Sequence, residues 1–132
     1  MKFQIINPTS LGVPKGWNNG MFAPKDGRVL FIAGQIGRAE NGQMVDGGFV
    51  AQLSQALQNV ITVVREAGGQ PEDIGQMTIY VADLDAYRTN LKLLGGAWRK
   101  LMGKHYPAMA LVEVSRLVDE GALVEIQATA VI

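Results

Sequence analysis

The chain has 132 residues, 48% of them apolar, and its twelve Lys and Arg balance twelve Asp and Glu. That suffices for one domain with a sizeable core, so residues 1–132 are read as a single domain. The absence of cysteine excludes disulfide and thiolate chemistry, a lone histidine makes no structural zinc site, and the lack of a basic block argues against nucleic acid as a partner.

The opening stretch MKFQIINPTSLG has one Lys and a short apolar patch broken by Asn7 and Pro8, which is too short for a signal sequence. No segment reaches the roughly eighteen uninterrupted apolar residues of a membrane span. A cytoplasmic protein with no membrane partner is expected.

An N-terminal strand is allowed at Phe3–Ile6. Over residues 19–34 the pattern reads strand, turn, strand: Val29-Leu30-Phe31-Ile32-Ala33 is a compact apolar run, and the Asp26-Gly27 pair before it suits a hairpin. Phe49, Leu53, Ala56, Leu57, Val60, Ile61 and Val64 fall on one stripe of an amphipathic helix, which Gly68 and Gly69 stop. Gln76 to Ala82 alternates as a half-buried strand. A second amphipathic helix carries Leu84, Tyr87, Leu91, Leu94, Trp98 and Leu101 and ends at Gly103. Its Gly95-Gly96 pair suggests a bend or a close approach to the sheet. Ala108 to Val114 and Ala122 to Ile132 are the last strands.

This order, β-β-α-β-α-β-β, gives an α/β protein, an α+β two-layer sandwich in which two helices cover one face of a sheet of five or six strands. The other face needs a cover. In the last strand Leu123, Glu125, Gln127, Thr129 and Val131 share that second face, a half-apolar set suited to burial against further subunits.

Several short runs resemble one family. Phe31-Ile32-Ala33-Gly34-Gln35-Ile36 is similar to the "F-V-S-G-Q-I" of the YjgF/RidA (reactive intermediate deaminase) family. Tyr106-Pro107-Ala108, Val112-Glu113-Val114-Ser115-Arg116-Leu117 and Ala122-Leu123-Val124-Glu125-Ile126 resemble its C-terminal "P-A-R-S-x-V-x-V-x-x-L … L-V-E-I-E" block. Each run is weak alone, but their order and spacing from about Trp17 onward are specific. The resemblance implies a chorismate-mutase-like fold, a homotrimer with an inner β-barrel, and small-molecule clefts between subunits. It implies no cofactor and no metal.

In relatives that hydrolyse imines, the arginine of "P-A-R" grips the substrate carboxylate and the glutamate of "V-E-I" positions water. Glu125 matches the glutamate, whereas Met109 replaces the arginine and offers a thioether in place of a charged fork. Leu111 stands where the family has a small residue or cysteine. The expected site therefore has Glu125 as the catalytic group, with Trp17, Gly34, Gln35, Tyr106, Met109 and Leu111 about the ligand.

Each assignment has a plainer alternative. Glu125 could instead pair with a neighbouring subunit's Arg or Lys. Trp17 either closes the cleft, its indole N–H free for a ligand, or plugs the N-terminal loop. Met109 and Leu111 could be core. Asn18 and Asn19 read as turn formers, His105 as an exposed side chain, and Arg88 and Arg116 as poor substitutes for the missing arginine. Two functions compete: a cofactor-free deaminase of imines, enamines or related unsaturated metabolites, and a non-catalytic metabolite-binding or regulatory trimer. Endoribonuclease activity, a label some relatives carry, ranks last for a neutral chain with one histidine.

Overall fold

The computed structural model describes residues 2–132. Strands β1 (Gln4–Ile6) and β2 (Gly20–Phe22) form a two-stranded ribbon. Strand β3 (Val29–Ile36), helix α1 (Gly48–Glu66), strand β4 (Ile74–Val81), helices α2 (Leu84–Thr89) and α3 (Leu91–Met102), and strands β5 (Ala108–Glu113) and β6 (Val124–Val131) follow. The main sheet has four strands in the order β3-β6-β4-β5, with β4 and β5 parallel and the other neighbours antiparallel. The expected mixed α+β architecture is present, with one main sheet of four strands in place of five or six. Among the described residues no helix is long and apolar enough to cross a membrane.

The apolar stripe foreseen on α1 is the one that is buried, with Ala56, Leu57, Val60 and Val64 at 0% exposure. Beyond Ala67 the helix closes as a Schellman turn: Gly68 N–H donates to Arg65 O at 2.9 Å and Gly69 N–H to Val64 O at 2.9 Å, with Gly68 at φ 90°. Against this helix the sheet presents Ile74, Met77, Ile79 and Val81 of β4 and Val124, Ile126, Ala128 and Ala130 of β6.

Three local expectations are corrected. The hairpin through Asp26-Gly27 does not form, because β2 pairs with β1 and not with β3. A turn is there, closed by Gly27 N–H on Pro24 O at 3.2 Å, but Pro24 follows the short β2 closely and has no N–H to extend a ladder. Arg28 instead exchanges backbone hydrogen bonds with Ile132 at 2.7 and 2.9 Å, continuing the β3–β6 pairing. The second helix is broken at Asn90, not bent at Gly95-Gly96. Asn90 Nδ2 donates to Ala86 O at 2.7 Å, and its backbone has left helical values at φ −118° and ψ 20°. Asparagine competes with the helical ladder in this way through its own side chain.

The third correction concerns the uncovered sheet face. Val131 of β6 is buried and Leu123, just before the strand, half-buried within the single chain. The exposed apolar area lies on the flanking strands, with Phe31 82%, Val29 56% and Val112 42% exposed. Gln127, hydrogen-bonded to Tyr80 Oη at 3.2 Å, and Thr78 lie between them.

One buried amide, unnoticed in the sequence, ties the approach to β6 onto α1. Gln52 is 5% exposed, donates from Nε2 to Gly121 O at 3.0 Å and accepts Leu123 N–H on Oε1 at 2.8 Å. Gln52→Leu keeps the bulk and strands both backbone groups. It is expected to lower stability by about 1–3 kcal/mol, read as a lower urea midpoint at unchanged slope; an unmoved midpoint would show that water replaces the amide without loss.

Candidate functional site

A pocket of about 340 Å³ opens on the helix side of the sheet, between α2–α3, the β4–β5 edge and residues 15–17. Its walls are Leu53, Ile79, Tyr87, Leu91, Leu94, Gly95, Trp98, Tyr106, Met109 and Leu111, and Lys15, Gly16 and Trp17 border it from the N-terminal loop. Four of the residues singled out in the sequence, Trp17, Tyr106, Met109 and Leu111, thus meet in one cavity.

Strand alternation accounts for Met109 and Leu111. They lie opposite Met77 and Ile79 in the parallel β4–β5 register, and those two are 1% and 5% exposed. They therefore project toward the helix layer, where the helices leave them half-buried at the pocket. Tyr106, just before β5, stacks on Trp98 of α3 with centroids 5.7 Å apart and planes within 3°. Trp98 Nε1–H donates to His105 O at 3.1 Å, and His105 Nε2–H donates to Ile74 O at 2.7 Å. His105 is thus half-buried and engaged, contrary to the exposed side chain expected, because its ring reaches back to the start of β4.

Trp17 is held over the pocket by two asparagines. Asn18 donates from its backbone to Pro107 O at 3.1 Å and from Nδ2 to Tyr106 O at 2.7 Å. Asn7 Nδ2 donates to Asn18 Oδ1 at 2.8 Å, and Asn7 Oδ1 accepts Asn19 N–H at 2.7 Å. Asn18 is therefore more than a turn former. The indole N–H of Trp17, free for a ligand on one of its two readings, donates to Asn19 Oδ1 at 3.2 Å.

Glu125, Gly34 and Gln35 do not join this pocket. Glu125 lies opposite Tyr80, whose neighbours Ile79 and Val81 point into the core, so its side chain is on the other face of the sheet. There it is half-buried, and its carboxylate has no hydrogen-bond or ion-pair partner among the described residues. The register slips between Ile32 and Gln35, and Gly34 sits in this bulge. A Cβ on Gly34 would overlap the Glu125 carboxyl group, so glycine leaves room for it. Gln35 folds back, donating from Nε2 to Ala33 O at 3.1 Å.

The sequence reading missed Lys15, Tyr87, Leu91, Leu94, Gly95 and Trp98 as pocket residues, and Asn7 as a support. The helical ones had the spacing of core, and Leu94 and Trp98 are indeed core as well as wall. Lys15 stands in a loop with no periodicity to read. Arg88 and Arg116 are exposed and lie outside the pocket, as expected. Among the described residues no three His, Cys, Asp or Glu gather where they could hold a metal ion.

Residues 15–132 match the family model described as Endoribonuclease L-PSP, the model of the YjgF/RidA proteins. The chain belongs to the YjgF/RidA family. A "RutC family protein" of Pyrococcus abyssi is 32% identical over 109 residues, 82% of each chain. The human "2-iminobutanoate/2-iminopropanoate deaminase" is 30% identical over 105 residues, 79% of this chain and 73% of that one. Among solved structures, a Rid-family protein of unknown function from Yersinia pestis superposes over 100% of both chains with TM-score 0.86 and 31% identity. TdcF of E. coli, solved with bound serine, covers 92% of this chain with TM-score 0.70 and 26% identity. Membership of the family accounts for the fold and for the short runs around Gly34, Pro107 and Glu125.

If Asn18 holds the rim, Asn18→Ala should free the bond after Lys15 to trypsin. Losing two side-chain hydrogen bonds should raise the cleavage rate about tenfold, followed by mass spectrometry under native conditions. An unchanged rate would place the restraint elsewhere in the loop.

Proposed function

We propose that this chain is a RidA-like small-molecule protein that works in the cytoplasm as a homotrimer, with its ligand in clefts between subunits. The observation that carries the reading is the division of the candidate residues. Trp17, Tyr106, Met109 and Leu111 share one pocket, while Glu125, without a partner among the described residues, sits on the opposite sheet face beside exposed Phe31, Val29 and Val112. Side chains on opposite faces of a sheet act on one ligand only if the Glu125 of one copy meets the pocket of another. Closing the apolar face against neighbouring copies into an inner barrel would allow this and would cover the exposed residues.

The reaction best suited to such a cleft is hydrolysis of an imine or its enamine tautomer. Glu125 accepts a proton from water as the water oxygen bonds to the imine carbon, and the C=N electron pair moves to nitrogen. That proton is passed to nitrogen, giving a carbinolamine. Glu125 then takes the carbinolamine's hydroxyl proton and passes it to the amine as the C–N bond breaks, so that ammonia leaves and the oxygen electron pair closes the carbonyl. Backbone N–H groups of the edge strand β5 near Leu111 would hold the developing oxygen charge. Relatives named as 2-iminobutanoate/2-iminopropanoate deaminases support this chemistry. No cofactor and no metal enters it.

Met109 favours a second reading, a metabolite-binding or regulatory trimer without turnover, because it removes the family's carboxylate grip. The two readings separate on small 2-imino acids generated in place by a threonine or serine dehydratase. The present chain should be weak on them, and Met109→Arg should raise kcat/KM by about one to two powers of ten. Glu125→Gln should abolish that gain, since an amide cannot take the proton. No gain from the arginine favours the non-catalytic trimer. Light scattering should give three times the 14.2 kDa chain mass; a monodisperse monomer at micromolar concentration would remove the shared cleft.

A further inference from the structure

The pocket is apolar and aromatic, yet one lining residue carries a full charge. Lys15 borders it, is exposed, and has no ion-pair partner among the described residues. Within the single chain no Asp or Glu lines the cavity, so the only acidic group near a bound anion would be the Glu125 that a second copy brings. The two indole N–H groups of the lining are already spent, on Asn19 and on His105, which leaves the Lys15 ammonium as its strong donor besides the phenols of Tyr87 and Tyr106. The loop that carries Lys15 is fixed at Asn18, which restricts where the lysine stem starts.

We infer that the pocket takes a monocarboxylate with an apolar, ring-sized or branched body, seated body first, its carboxylate held at the mouth by Lys15. This rests on the pocket reading of the proposed function and deepens it by naming the ligand class and its anchor. A volume of about 340 Å³ is at the lower end for small-molecule pockets and suits such a body. The walls meet that body with Leu91, Leu94, Met109, Leu111 and the stacked Trp98 and Tyr106. Polarity is thus reversed relative to a site with arginine at position 109: the charge sits at the rim, where Lys15 is, and the interior stays apolar.

The test compares 3-phenylpropanoate with its neutral amide, 3-phenylpropanamide, by calorimetry on the intact assembled protein. The acid should bind about three- to fivefold more tightly than the amide at low salt, the strength of an exposed ion pair, and the ratio should fall toward one near 1 M salt. Lys15→Gln should bring the ratio to about one and Lys15→Arg should retain it. Equal affinities in the unmodified protein, a ratio that survives Lys15→Gln, or no binding of either compound would overturn the inference. Met109→Trp, which fills the cavity, separates this from failure of the underlying reading. If it abolishes binding of both compounds while the unmodified protein binds them equally, the pocket stands and the Lys15 anchor falls. If both bind Met109→Trp as before, the pocket itself is not the site and both readings fall.

Discussion

The strict alternation of side chains along β4, β5 and β6 is the constraint on which the rest depends. Ile79 and Val81 point into the core, and Tyr80 between them points out. Once the register with β5 and β6 is set, Met109 and Leu111 must face the helix layer and Glu125 must face away. A slip of one residue would exchange the two sets and bury a carboxylate beneath α1. The apolar row on β6, with Val124, Ile126 and Ala130 at 0% exposure, makes that slip costly. The core thereby fixes the chemistry: what holds the sheet to its helices also decides which candidate residues one chain can bring together.

Around that frame, polar side chains hold what the ladder does not. Gln52 fastens the approach to β6, Asn7 and Asn18 fasten the Trp17 loop to the start of β5, and His105 reaches from that start to the start of β4. Each satisfies backbone groups that loops would otherwise leave to water. All except Asn7–Asn18 are contacts from a side chain to backbone, so they impose position without demanding a particular residue at the other end.

Legibility in the sequence followed the same division. Helix α1 and the strands of the main sheet could be read because burial writes a period into them, of 3.6 or of 2. The partner of β2 and the break at Asn90 could not. Both turn on which of two local hydrogen-bonding options wins, and a three-residue strand or a single asparagine carries no period. At the site, Trp17, Tyr106, Met109, Leu111 and Glu125 were legible through resemblance to family motifs, whereas Lys15 and Asn7 lie in irregular segments whose neighbours are set by long-range contact. The sheet faces of Glu125 and Met109 each followed from alternation, but their relation required the register between β6, β4 and β5, which no single segment contains.

The loss of arginine at position 109 changes more than one contact. A guanidinium there would lie beside Ile79, Leu111 and the aromatic wall, and its desolvation would have to be offset by a bound carboxylate. Met109 removes that demand, so the cavity is stable without a ligand and favours apolar surface when one arrives. Such a wall discriminates weakly among apolar bodies, since one methylene is worth only about 1–3 kcal/mol. Polar groups then have the larger part in orienting a ligand. On this chain they are few and separated: Lys15 at the rim, two phenols in the wall, and a carboxylate on the far face of the sheet. A ligand that satisfies the first needs nothing from the last unless a second copy brings it, so the wall that receives an apolar body and the carboxylate that can take a proton are held by opposite faces of one sheet.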